Sequence, residues 1–294
     1  MSRTGLSRQE TIGLFLGFVG VVIFGGTLPF TRIAVAALDP WFVTAGRAAL
    51  AGVLAAALLL VLRRRIPRGP AMTRLVVVSI CLVAGFPIGT GLAMVTVEAS
   101  RGGVILGVLP LATAVVGVIV SGERPPLKFW IAAVLGAAIV VAFTLRDGVG
   151  GVSVGDAFLV LAIVSASTGY AISGKLAQQM PGWEVISWAL VVALPVTLPF
   201  TLLLWPADAA AVPSASWWAF IYVALMSQYL AFFAWNAGLA LGGVARVSQV
   251  QLLQVFVTLG IAAVLNREQV DLVTWAVAAL VVVIVLVGAR ARRA

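Results

Sequence analysis

The sequence has no histidine, a single cysteine and few charges: Lys, Arg, Asp and Glu together make up 10% of its 294 residues. Each shortage removes a class of function. Without histidine or a pair of cysteines, the usual donors of a zinc or haem site are missing, so no metal and no cofactor is expected. The lone Cys81 excludes an intramolecular disulfide. It falls inside an apolar run and is read as packing. An intramembrane enzyme needs a nucleophile with its base, or a pair of carboxylates. With no histidine and every acid close to the end of an apolar run, enzymatic activity is not expected.

What the chain has instead is apolar surface. It is 62% hydrophobic with a mean hydropathy of +1.15, whereas soluble proteins carry roughly 25% charged residues. Apolar windows fall at approximately 12–35, 42–62, 75–97, 102–121, 129–145, 156–177, 185–205, 217–239, 246–265 and 271–289. Each is near the length needed to cross a hydrocarbon core of ~30 Å as a helix. The expected fold is an all-α membrane protein with ten transmembrane helices. The run from Arg8 exceeds the 7–15 residues of a signal-peptide core, so it is read as a retained first helix. Seven tryptophans, from Trp41 to Trp275, sit near span ends, where amphipathic rings favour the interface.

The net charge of +9 follows the same pattern. Of the 19 Lys and Arg residues, 14 fall on one side of the alternating spans, among them Arg3, Arg8, Arg63, Arg64, Arg65, Arg124, Lys128, Lys175 and Arg293. That bias places both termini in the cytoplasm and the protein in the inner membrane, and it argues against a nucleic-acid partner. A monomer is expected. Glu98 and Arg101, three residues apart, are expected to pair with each other.

A glycine-rich turn, Arg146 to Gly155, divides the chain into residues 1–147 and 148–294. Aligning Arg32 with Lys175, Trp41 with Trp183 and Glu123 with Glu268 gives offsets of 143, 142 and 145. Five spans per half is an odd number, so the second unit enters the membrane from the opposite face. Transporters with such inverted repeats hold their substrate near the midplane, between the units.

Polarity sorts the spans. Those at 129–145 and 271–289 carry almost no polar groups away from their ends and can face lipid. Others carry amides, hydroxyls or paired helix breakers in mid-span. Gly25-Gly26-Thr27-Leu28-Pro29 and Gly85-Phe86-Pro87-Ile88-Gly89-Thr90 leave backbone groups free, tolerated at membrane depth only beside protein or water. Gln251, Gln254 and Thr258 share one helical stripe, and Gln228, Phe232 and Trp235 share another. Such groups either hold helices together or line a wet cavity. The candidate substrate-binding set is Phe24, Thr27, Phe86, Thr90, Thr168, Tyr170, Gln228, Tyr229, Trp235, Asn236, Gln251 and Gln254. Arg32, Arg47, Glu123 and Lys175 are candidate gating or structural charges, with Arg47 and Arg32 either snorkelling to an interface or meeting an anion.

Phe24-Gly25 followed by Arg32, then Pro40 and Arg47, Pro110, Gly122-Glu123 and Lys175 resemble the EamA family of the drug/metabolite transporter superfamily. The resemblance covers nearly the whole chain, and within the family it is strongest to aromatic amino-acid exporters of the YddG type. It implies two inverted five-helix repeats and export of small metabolites. Two positions depart from the family pattern: Phe24-Gly25 replaces Trp-Gly, and Arg267-Glu268 replaces the second Gly-Glu. With no acid in mid-span, the expected transport is facilitated diffusion or exchange of a neutral or zwitterionic solute, without a proton-coupling residue. An exporter of drugs or other neutral metabolites, and a channel, remain alternatives.

Overall fold

The computed structural model describes residues 8–121, 127–145, 153–242 and 250–293. Among these the regular structure is helical, with no strand. In chain order the α-helices are α1 (Arg8–Gly25), α2 (Thr27–Val35), α3 (Pro40–Val61), α4 (Pro70–Val78), α5 (Phe86–Thr96), α6 (Ala99–Leu106), α7 (Leu109–Ser121) and α8 (Leu127–Leu145). They continue as α9 (Val154–Leu176), α10 (Gly182–Leu203), α11 (Ser214–Ile221), α12 (Ala231–Gly242), α13 (Gln254–Leu265) and α14 (Leu272–Arg293). Among the described residues seven continuous helical segments are long and apolar enough to cross a membrane, and three shorter apolar helices accompany them. Large apolar side chains such as Leu60, Val134, Leu203 and Val264 stand mostly exposed, the arrangement a bilayer stabilises and water does not.

Local sequence explains the interruptions. Pro29 has no N–H to give the Gly25 carbonyl, and the helix breaks at Gly26 between α1 and α2. Pro110 acts likewise, and Gly107-Val108 separate α6 from α7, so the apolar stretch from Gly102 is two helices rather than one. Between α4 and α5 the helix widens to a π stretch over Ser79–Gly85 just before Pro87, and a second π stretch covers Tyr222–Leu230. The two begin at Ser79 and Tyr222, 143 residues apart.

The main helix pairings join the residues before 145 to those after 153. α1 lies along α12, α3 along α10, α5 and α7 along α9, and α8 along α14. The largest buried cluster draws on both stretches, from Ala48, Leu75 and Val83 to Ile186, Leu190 and Tyr229. Small residues allow the closest approaches. A Cβ on Gly238 of α12 would lie 2.6 Å from the Gly17 nitrogen of α1, so the two backbones touch without side chains between them.

Candidate functional site

The breaks converge on a cleft. Its walls are the α1–α2 break, the α6–α7 break, the N-terminal end of α5, and the single turn of 3-10 helix (Val250–Leu253) that leads into α13. About 500 Å³ of non-atom space, the open solvent at the mouth included, lies between these walls. Phe24, Thr27, Phe86, Gln251 and Gln254 from the candidate set line it, together with Leu28, Leu106, Pro110, Leu252 and Thr258. None of the described lining side chains is charged. The amides of Gln251 and Gln254 make no hydrogen bond to a described residue.

The remaining candidates lie outside this wall, and most are occupied. Pro29 frees the Gly25 carbonyl, and Thr258 takes it with its hydroxyl at 2.9 Å. The π stretch at Ser79–Gly85 shifts the Phe86 N–H onto Cys81, which leaves Leu82 waiting for a donor that Pro87 lacks. Gln228 supplies it from the second π stretch, Nε2 to the Leu82 carbonyl at 3.4 Å. Thr90 bonds the carbonyls of its own helix at Phe86 and Pro87. The Tyr229 hydroxyl meets Ser187 Oγ at 2.9 Å. Tyr170 packs on Phe232, whose ring meets Phe24 edge-on with centroids 5.1 Å apart, so an aromatic chain leads away from the cleft. Trp235 lies against Gly20 of α1, and Asn236 against Gly182 at the start of α10. Thr168 is half-buried on α9, without a polar partner among the described residues.

The charges organise around the first turn of α6. Glu268 accepts the Ala99 N–H at Oε1 and the Ser100 N–H at Oε2, both at 2.8 Å, and meets Arg32 Nε at 3.4 Å. Arg32 also donates to the Val97 carbonyl. The expected Glu98–Arg101 pair does not form. Arg101 instead grips Asp156 of α9 through two bonds, Nε to Oδ1 at 3.1 Å and Nη2 to Oδ2 at 3.0 Å, and Glu98 is exposed. The fork geometry and the burial of Asp156 favour the distant partner over the local one. At the other end of the bundle Arg64 pairs with Glu184 at 3.2 Å and lies over the Trp183 ring. Lys175 sits in the last turn of α9, where a cation complements the helix dipole. Glu123 lies outside the described residues. Arg47 does not snorkel: it is 2% exposed, about 10 Å along α3 from its first residue. Sequence reasoning missed Ser227, which sits beside Gln228 and bonds Thr27 Oγ1 at 2.7 Å. A second polar residue next to Gln228 in mid-span was the available signal.

Glu268 follows Arg267, which adopts a left-handed backbone with φ of 55°. That conformation costs a residue with a Cβ about 1–2 kcal/mol and glycine almost nothing. Arg267→Gly is therefore expected to raise the thermal unfolding temperature in detergent. An unchanged or lower midpoint would contradict the strain.

The comparisons with known proteins agree with this architecture. The model of the EamA-like transporter family matches over residues 11–145 and again over 153–289. The chain is 43% identical over 286 residues to the uncharacterized transporter YdeK of Bacillus subtilis (strain 168), spanning 97% of this chain and 99% of that one. A protein of known crystal structure superposes with a TM-score of 0.62 over 96% of this chain and 98% of its own, at 18% identity, a likeness of fold alone. A helical bundle with lipid-compatible surfaces, a cleft at its helix breaks and a full-length transporter relative describe a multi-pass membrane transporter, not an enzyme: the chain belongs to the EamA-like transporter family of the drug/metabolite transporter superfamily.

Proposed function

We propose that the protein exports small neutral or zwitterionic metabolites, above all amino acids with aromatic or large neutral side chains, as do exporters of the YddG type. The observation that carries this reading is the composition of the cleft. Phe24, Phe86, Leu28 and Leu252 offer an apolar surface for a ring, and the amides of Gln251 and Gln254, without a partner among the described residues, offer both donors and acceptors for an ammonium or carboxylate. Substrate contact is assigned to Phe24, Thr27, Phe86, Gln251 and Gln254. The other candidates hold the surrounding helices in place.

Ten spans in two inverted units of five, 1–147 and 148–294, complete the proposal. It is supported by the two family matches and by the 143-residue interval between the π stretches. Alternating access then rocks one unit against the other around the cleft. The charge bias places both termini in the cytoplasm and the protein in the inner membrane. With no acid among the described lining residues, transport runs without a built-in proton relay.

Counterflow in proteoliposomes tests the cargo and the coupling together. L-phenylalanine and L-tryptophan are expected to compete for uptake where glycine does not, and collapse of a proton gradient is expected to leave the rate unchanged. Gln254→Ala removes an amide from the wall and should lower the rate on the order of tenfold, the effect of losing one or two hydrogen bonds to a zwitterion. Asn236→Ala, packed against Gly182, should change it far less. Equal competition by glycine, or loss of transport with the gradient, would overturn the proposal.

A further inference from the structure

Arg47 is a buried cation with no ion-pair partner among the described residues. Its guanidinium cannot shed its proton, and no carboxylate of a described residue lies within ion-pair distance. Nε has no hydrogen-bond partner. Nη2 reaches only the Ser227 hydroxyl, at a long 3.4 Å. Arg101 shows what the same edge of the side chain holds when it is satisfied: Nε and Nη2 grip both oxygens of Asp156. Arg47 presents that edge without a carboxylate. An uncompensated charge at this depth costs several kcal/mol, and an anion bound beside it would offset that cost.

The route to it is short. Ser227 Oγ lies 2.7 Å from Thr27 Oγ1, and Thr27 lines the cleft. Two hydroxyls therefore separate the guanidinium from the space that receives cargo. Ser227 belongs to the second π stretch, whose extra residue per turn re-aims its side chains. One turn beyond Thr27 on α2, the buried Thr31 hydroxyl also has no partner.

We propose that Arg47, with Ser227 and Thr27, forms the position that receives the carboxylate of the cargo, an inference that rests on the amino-acid reading above. The carboxylate passes Thr27, takes the Nε and Nη2 hydrogens as a fork, and displaces the long Ser227 contact. Ser227 then turns its hydroxyl hydrogen to the carboxylate and accepts from Thr27. The cargo's ring stays against Phe24 and Phe86, outside this position.

The test sets an acid against an amine of the same size. In wild-type proteoliposomes exchanging labelled L-phenylalanine, 3-phenylpropionate should compete on the order of tenfold better than phenethylamine. Arg47→Gln should abolish that preference and cut exchange by a similar factor. Arg47→Lys should keep part of it, since the charge remains and the fork is lost. Equal competition by acid and amine in the wild type overturns the proposal whether or not the variants fold. If the wild type exchanges no L-phenylalanine, the cargo reading fails and the binding position is tested by thermal unfolding in detergent. Stabilisation by 3-phenylpropionate but not by 3-phenylpropionamide supports it; equal stabilisation by both, or by neither, overturns it.

Discussion

Glu268→Ala is expected to lower the unfolding free energy by about 2–4 kcal/mol, because one carboxylate does the work of three contacts. Its two oxygens cap the Ala99 and Ser100 N–H groups at 2.8 Å, and Oε1 faces Arg32. Glu98, at the N-cap position of α6, contributes no side-chain bond. The helix is capped instead from the connection between α13 and α14. Removal of the carboxylate leaves two N–H groups and part of the Arg32 charge unpaired, and deletes a negative charge from a helix N-terminus. Thermal or denaturant unfolding in detergent reads the loss. Glu268→Gln keeps one acceptor and should recover less than half of it. A stability equal to wild type in both variants would mean that water replaces the cap at no cost.

The function of α6 makes the cap a matter of transport as well. Gly103, Leu106 and Gly107 line the cleft on and just beyond this helix, and Glu268 with Arg32 joins its first turn to the end of α2. The ties link segments on either side of the cleft, so loosening them should change the opening of that end of the bundle. A cysteine placed at Thr27 in the Glu268→Ala background is expected to react faster with a membrane-impermeant thiol reagent from the face that carries Val97.

What the sequence made legible was everything governed by local rules. The apolar windows lie within a few residues of the helices, for example 42–62 against Pro40–Val61 and 129–145 against Leu127–Leu145, since length and hydropathy alone set a span. The break at Gly26 follows from Pro29 and its two preceding glycines. Gln251, Gln254 and Thr258 do line the cleft; the α-helical period accounts for Gln254 and Thr258, while Gln251 reaches it from the 3-10 turn ahead of α13. Pairing was not legible. Arg101 finds Asp156 55 residues away rather than Glu98 beside it, and Glu268 finds α6 from a distance of 169 residues. Gln228 and Tyr229 looked like cleft residues and instead serve carbonyls and hydroxyls of neighbouring helices. In a bilayer every polar group must meet a partner, and sequence gives the need without naming the partner. Arg47 illustrates the limit most clearly: its distance from the span end allowed snorkelling, and only tertiary packing shows it enclosed.

The second large effect is expected at Asp156. This carboxylate is 2% exposed and accepts four bonds, two from Arg101 and two from the Ser153 N–H and hydroxyl, while its own N–H bonds Ser153 Oγ in a capping box that starts α9. Asp156→Ala removes the two-bond carboxylate partner of Arg101 together with half of the box, so a loss of about 2–4 kcal/mol is expected. Exchanging the pair, as Arg101→Asp with Asp156→Arg, should not restore stability, since arginine cannot accept from Ser153. Arg101 directly follows the two residues that Glu268 caps, so both acids hold one helical turn. If either single substitution frays that turn, the contact made by the other acid is already weakened. The double variant Glu268→Ala with Asp156→Ala should then lose less than the two singles added together, by about 1–2 kcal/mol. Strict additivity would mean that the two acids hold α6 independently, and that its first turn does not move as a unit.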